Sequence, residues 1–444
     1  MAKSTKSIQS RNPVRPEKPY EGFPLFAHQT GRWAKKVRQK ILFFGRWGTN
    51  TKGEIVPVDD LEASATAALA EFNRQWPYIS QGRTAPPIDV GAGCTIRDLC
   101  NAFLTTKLGR VQSGELSRYS FSEYQRSTDA MMEFFGRDRR VDDLRPDDFE
   151  RFRQKLAKGV GIVTLKSKIN RLRVIFRYAS DRQLIDRPVA YGGAFDRPSA
   201  KSLKRARNEA GERLFERDDL LRILDVLDGK PVAVEGQDKP VKLPASAAMR
   251  AMVLLGLNCG LGNTDVASLP RSAVNLDTGW ITFPKPKTEV QRRVPLWPET
   301  IAALRQAIAE RPTPKDEADA DLCFITSRGT RYVRLQRSLK SADTEGEGTY
   351  VTINSLSRRF ETILDKLGIE GRKGTGFYTL RHVFETHAGE SRDQVAVDAI
   401  MGHVDGTMAG EYRERISDER LRAVVEKVRA WLWPVASTSE SAAE

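Results

Sequence analysis

Little in this chain points to redox chemistry or to a membrane. Only four cysteines occur in 444 residues. Cys94, Cys100, Cys259 and Cys323 include no CxxC pair, which argues against a zinc site. Reduced thiols in a cytosol are the simple expectation. No run of about 18 apolar residues is present, so no transmembrane helix is expected. The opening Met1-Ala2-Lys3-Ser4 lacks the apolar core of a secretory signal. Histidine is equally scarce, at four residues, and acidic charge is in deficit. Lys and Arg number 72 against 58 Asp and Glu, a net charge of +14. An excess of this size suggests a polyanionic partner, of which nucleic acid is the commonest. An anionic membrane surface is disfavoured by the lack of a strongly amphipathic basic helix.

The chain divides by composition. Residues 1–21 are polar, with prolines at 13, 16 and 19, and read as a flexible arm. Arg32 to Phe44 alternates as a strand would, with Val37, Ile41 and Phe43 on one side and Lys36, Arg38 and Lys40 on the other. A basic strand face suits DNA phosphates or a groove, or is a solvated edge. Leu61 to Trp76 reads as an alanine-rich helix, giving a sheet-plus-helix module over 22–80. Gln81 to Gly93, with Pro86-Pro87, reads as a linker.

Four helices are expected over 94–187. The first follows Thr95 as N-cap, the second runs near Ser117 to Phe135, and the third starts at Pro146. The fourth has an apolar stripe of Leu165, Ile169, Leu172, Ile175 and Phe176, decorated by Lys166, Lys168, Arg171, Arg173 and Arg177. A second linker, 188–211, is basic at Lys201, Lys204, Arg205 and Arg207. A mixed domain is expected over 212–433, with a buried helix at 249–258 and paired strands at 280–283 and 293–296. An acidic loop lies at 343–348. The last helix, 419–433, has a stripe at Leu421, Val424, Val425, Val428 and Leu432, an apolar face suited to packing within its own domain. The tail, 434–444, reads as disordered.

The chemistry-bearing residues cluster late in the chain. Tyr378-Thr379-Leu380-Arg381-His382 is followed by Met401-Gly402-His403 and then Glu411-Tyr412-Arg413. This order resembles the C-terminal active-site half of tyrosine recombinases, the phage-integrase family. The resemblance implies that Tyr412, nine positions after His403, is the nucleophile forming a phosphotyrosyl bond to DNA. It implies that Arg381 clamps phosphate oxygens, a role suited to a planar guanidinium. His382 braces the site, and His403 donates to a phosphate oxygen or assists proton transfer. Tyr378 stands where the family usually carries histidine, and His387 reads as structural. In Pro284-Lys285-Pro286-Lys287-Thr288, the hairpin lysine that protonates the leaving 5′ oxygen is taken as Lys287, with Lys285 the competing choice.

The first box departs from the family pattern. Cys259-Gly260-Leu261-Gly262-Asn263-Thr264-Asp265 keeps the frame of Thr-Gly-Leu-Arg followed by an acidic residue, but Gly262 replaces the arginine. Arg250, Arg271, Arg292 and Arg293 are the nearby substitutes. Failing these, the chain has a divergent clamp geometry, or it is a catalytically weak DNA-binding relic.

The fold implied is multidomain α+β: an N-terminal β-sheet-plus-helix module that binds arm-type DNA, an all-α core-binding domain and a mixed α/β catalytic domain. The expected function is site-specific recombination, integrating or excising a mobile element without ATP, metal or other cofactor. The expected partners are double-stranded DNA, further copies forming a tetramer on paired sites and an optional DNA-bending protein. The expected location is the cytoplasm, on the nucleoid. A non-catalytic DNA-binding regulator and a type IB topoisomerase are the rival readings.

Overall fold

The computed structural model describes residues 15–51, 54–81, 93–338, 350–404 and 406–434. Most of the expected arm, the core of the first linker, the acidic loop and the tail after Pro434 lie outside the described residues. The chain forms two compact units. One runs to Ser199 and includes Arg337–Val351; the other comprises Ala200–Gln336 and Thr352 onward. The sheet-plus-helix module and the helical bundle therefore fall within one unit.

In the first unit, β1 (Phe26–His28), β2 (Arg32–Val37) and β3 (Lys40–Arg46) form an antiparallel sheet in the order β1-β2-β3. β4 (Gly48–Thr51) pairs with β5 (Glu54–Pro57), and α1 (Leu61–Ile79) packs on β3. Trp33, Phe44, Trp47, Ala65, Ala68 and Phe72 make the core between sheet and helix. The single strand expected over 32–44 is instead a hairpin. Arg38 and Gln39 turn it, with φ of 46° and 66°. Two consecutive positive φ values suit a tight hairpin turn, but neither residue is the glycine or asparagine that would announce one.

The hairpin also changes the faces. Lys36 pairs with Ile41 and Ala34 with Phe43, so Lys36 shares a face with Ile41 and Phe43, while Lys40 shares one with Val37. Ile41 and Phe43 are exposed rather than buried.

The four expected helices form: α2 (Ile96–Gln112), α3 (Arg118–Phe135), α4 (Pro146–Ala157) and α5 (Ile162–Asp181). Thr95 and Asp98 make a reciprocal capping box at the start of α2, and Ser117 caps α3. The α5 stripe enters a core rich in phenylalanine, with Phe149 and Phe176 at 5.3 Å.

In the second unit, the stretch read as a linker contains a helix, α6 (Ala200–Glu209), with no buried residue. α7 (Arg217–Leu227), α8 (Ala247–Cys259), α9 (Asn263–Ala267), β6 (Val274–Asn275), β7 (Trp280–Thr282) and β8 (Arg293–Pro295) follow. Then come α10 (Pro298–Ala309), the strands β9 (Val333–Arg337) and β10 (Tyr350–Asn354), whose Arg337 and Tyr350–Val351 are counted with the first unit, and α11 (Ser355–Leu367), α12 (Thr379–Gly389), α13 (Gln394–Met401), α14 (Met408–Glu411) and α15 (Asp418–Leu432).

α8 is apolar on nearly every side because α7, α10, α12 and α15 surround it. Asn258 near its end is buried. Its amide donates to the Pro295 carbonyl at 3.1 Å, and its Oδ1 accepts from the Trp297 N–H at 2.8 Å, fixing β8 against the helix. The strands pair as expected, Ile281 opposite Val294.

α15 settles within its own unit. All five stripe residues are buried in the core, Trp297 Nε1 donates to the Val425 carbonyl at 2.9 Å, and Arg429 pairs with Glu299 at 2.6 Å. Each buried aliphatic side chain contributes about 1.5–3 kcal/mol. Among the described residues, no helix is long and apolar enough to cross a membrane.

Candidate active site

Three helix ends converge on one guanidinium. α8 stops at Gly260, which is left-handed at φ 61°; a Cβ there would meet Met401 Sδ at 2.5 Å and a Phe384 ring carbon at 2.8 Å. α13 stops at Gly402, also left-handed. Both ends leave unpaired carbonyls. Arg381, near the start of α12, satisfies one from each: Nη1 donates to Gly260 O at 2.6 Å, and Nη2 to Met401 O at 2.8 Å. The side chain is buried, at 5% exposure. Burial lowers its pKa, with Asp265 and Glu385 acting the other way. Helix C-termini attract cations, each by about 0.3–1 kcal/mol at exposed sites and more when buried. Partial charges hold this guanidinium, with no carboxylate bonded to it among the described residues, so most of its charge is left for an incoming anion.

His403 follows Gly402 directly. Its Nδ1 lies 2.9 Å from Asp398 Oδ1, and its Nε2 3.2 Å from Arg381 Nη2. A guanidinium only donates, so Nε2 accepts here and the ring proton sits on Nδ1, bonded to Asp398. A carboxylate oxygen of Glu385 also lies within 4.8 Å of the ligand atoms of Asp398 and His403. Nδ1 is thus held by Asp398 while Nε2 faces the Arg381 guanidinium, with Glu385 alongside.

The hairpin brings Lys285, not Lys287, to this cluster. Lys285 Nζ donates to Gly402 O at 3.1 Å and is half-buried. Burial lowers its pKa, and the nearby Arg381, Arg292 and Lys287 charges lower it further against the pull of Asp265. Lys287 sits on the exposed turn. The turn geometry explains the difference: Lys285 N–H bonds to Val290 O at 2.9 Å, still inside the hairpin ladder, whereas Lys287 lies beyond it.

At the first box, Asp265 Oδ2 accepts from the Gly262 N–H at 3.4 Å and from Arg292 Nη1 at 3.0 Å. The place of a side chain at 262 is occupied: a Cβ would stand 3.0 Å from Tyr378 Cε2 and 3.3 Å from Cδ2. Tyr378 is 44% exposed, and its ring meets His382 edge-on at 5.6 Å. Burial lowers the His382 pKa, reinforced by Arg213, Arg372, Arg207 and Arg381. His387 stands apart, stacked on Trp431 at 3.6 Å and bonded to Glu390 at 3.1 Å.

Tyr412 ends the short helix α14 and is 79% exposed. Among the described residues its hydroxyl makes no hydrogen bond. It belongs to the segment between His403 and Ser417, the N-cap of α15.

The DNA-binding candidates are spread more widely. Lys36 and Lys40 are exposed on the hairpin, and Arg38 donates to Ser80 O at 3.2 Å. Lys166 and Lys168 are half-exposed on α5, while Arg171 is tied to Glu123 at 2.9 Å. Lys204 and Arg205 are exposed on α6.

Residues 215–418 match the phage integrase family. That stretch is similar to phage integrase domains. Among solved structures it is similar to the Tn1549 transposon integrase in complex with transposon right end DNA, at 16% identity and a TM-score of 0.50, covering 76% of this chain and 100% of that one. It is also similar to a lambda integrase tetramer bound to a Holliday junction, at 14% identity and a TM-score of 0.50, covering 90% of this chain and 98% of that one. A lambda integrase dimer bound to a core site gives 14% identity and a TM-score of 0.50, covering 91% and 98%. These matches show the tyrosine-recombinase fold. Comparison with curated protein sequences gives no match.

The sequence motif left two groups unread. Asp398 precedes His403 by five residues, and only the turn at Gly402 folds it back onto the ring. Arg213 and Arg372 lie far apart in sequence and meet beside Tyr378.

Proposed function

We propose that this protein is a site-specific DNA recombinase that cuts and rejoins strands through Tyr412, integrating or excising a mobile element. The observation that carries the reading is Arg381: a buried guanidinium held by two helix-end carbonyls, with His403 and Lys285 beside it. Such a site favours a phosphate whose charge grows in the transition state.

In the first step the Tyr412 phenolic oxygen bonds to the scissile phosphorus and its proton passes to His403 Nε2. The bond from phosphorus to the 5′ oxygen breaks, and Lys285 protonates that oxygen. The product is a 3′-phosphotyrosyl ester and a free 5′ hydroxyl. A 5′ hydroxyl from a partner strand reverses the steps and ligates. The ester conserves the bond energy, so no nucleotide triphosphate enters.

For Tyr412 to act, the segment between His403 and Ser417 must carry the exposed ring to the cluster when DNA is bound. Double-stranded DNA is the substrate, four copies on paired sites the working assembly, a DNA-bending protein an optional accessory and the nucleoid the place of action. Lys36, Lys40, Lys166, Lys168, Lys204 and Arg205 supply backbone contacts.

Gly262 favours one rival, a DNA-binding protein that does not cleave. A denaturing gel on nicked duplexes from the ends of the encoding element separates the two. The recombinase gives a covalent adduct that Tyr412→Phe abolishes. The rival gives tight binding and no adduct.

A further inference from the structure

The loss of a guanidinium at Gly262 raises the question of what replaces it, and the four arginines nearest in sequence are committed elsewhere. Arg250 Nε lies 2.5 Å from Asp228. Arg271 faces Asp321 at 3.9 Å and donates to Ala320 O at 3.1 Å. Arg292 pairs with Asp265 at 3.0 Å, and its side chain is 1% exposed. Arg293 pairs with Asp418 and lies 3.7 Å from the centre of the Trp280 ring. Each has a carboxylate partner, and Arg292 is closed off from solvent.

Two other arginines differ. Arg213 precedes α7, and Arg372 lies in the loop before α12. They clasp each other's segments: Arg213 Nη2 donates to Gly374 O, and Arg372 Nη1 to Gly211 O at 3.0 Å. Neither forms an ion pair among the described residues. The Nε atoms of both are buried without a partner. Their charges face each other, burial and the Arg372 charge together lowering the Arg213 pKa. Like charges held together without a counterion form a site for an anion.

The pair also sits in the right place. The Arg213 guanidinium lies 5.8 Å from the centre of the Tyr378 ring, and that ring fills the space above Gly262. Arg213, Arg372 and Arg381 all act on His382. A line of neighbours therefore runs from Gly262, through the Tyr378 ring, to Arg213.

We propose that Arg213, with Arg372 beside it, binds the scissile DNA phosphate and supplies the cationic contact that Gly262 lacks. This rests on the phosphotyrosyl reading of the site. Tyr378 then acts as a spacer: an aromatic ring lies where an arginine stem would run, and a cation stands over it.

The test uses the full chain and nicked duplexes that carry either a phosphodiester or a neutral methylphosphonate at the scissile position. On the phosphodiester, Arg213→Ala is expected to slow adduct formation about 10²–10³-fold, the loss typical of one preorganised donor. Arg213→Lys should recover part of that loss. On the methylphosphonate, wild type and Arg213→Ala should react alike, because the charge they differ in handling is gone.

Affinity gives an arm independent of cleavage. Neutralising the phosphate should weaken wild-type binding more than it weakens Arg213→Ala binding, in which Arg381 still faces the phosphate. If wild type forms no adduct, the phosphotyrosyl reading fails, and the binding arm still decides this proposal. Where Arg213→Ala unfolds for want of its bond to Gly374, Arg213→Gln keeps a donor and drops the charge. An Arg213 variant that cleaves as fast as wild type, or one equally sensitive to phosphate neutralisation, would overturn the proposal.

Discussion

Arg381 and Gly262 occupy two corners of one site, and the protein treats them in opposite ways. At Arg381 the fold builds a socket: two left-handed glycines end two helices so that their carbonyls meet one guanidinium. At Gly262 the fold keeps the backbone frame, the Asp265 brace and the buried Arg292, but fills the side-chain space with an aromatic ring. The frame has been kept without its cation. That combination does not look like simple decay, since the vacated space is occupied and the polar brace below it is intact.

The largest expected effect comes from the socket. Arg381→Ala removes the cation bonded to both helix ends and should lower adduct formation by roughly 10³–10⁵-fold, as loss of an arginine does in other phosphoryl transfers. Single-turnover rates on a nicked duplex check this. A loss no larger than that of Arg213→Ala would mean the two corners carry equal weight.

Next is the filled corner. Gly262→Arg alone must push the Tyr378 ring by a few tenths of an ångström or more, so it should gain little or lose activity. Tyr378→His alone opens space but adds no charge. Together they should restore the corner, with a coupling of about 1–3 kcal/mol in a double-mutant cycle on the adduct rate. Additive effects would show that the two positions are not linked.

The smallest effect separates the two lysines. As a general acid, Lys285 must be protonated, so activity is present at low pH and falls as pH rises through its pKa. That pKa is lowered, so the alkaline limb of the rate should lie below the ordinary lysine value. Lys285→Arg, protonated throughout, should remove the limb, and Lys287→Ala should leave it in place. The reverse result would return the acid to Lys287.

The sequence showed this site unevenly, for physical reasons. Arg381, His382 and His403 were legible because α12, α13 and the turn between them are contiguous, so spacing along the chain tracks spacing in the fold. The core-facing stripes of α5 and α15 were legible for the same reason: helical period decides which side is buried.

The sequence favoured Lys287 over Lys285, because nothing local shows where, within two residues of a hairpin tip, ladder gives way to turn. The hairpin at Arg38-Gln39 was hidden by residues that adopt positive φ without being glycine. The α6 helix was hidden in a stretch whose basic, polar composition matches a tether. Arg213 and Arg372 carried no local signal at all; only the fold makes them neighbours.

The central claim is that Tyr412, though it stands outside the cluster, is the residue that bonds to DNA. Tyr378 is the sharpest competitor, since it already sits in the site and is 44% exposed. The most direct test digests the covalent adduct and identifies by mass spectrometry the residue that carries the nucleotide. The account predicts a single peptide containing Tyr412, esterified to a 3′ phosphate, with a free 5′ hydroxyl on the released strand. Attachment at Tyr378, or a 5′ phosphate linkage, would contradict it.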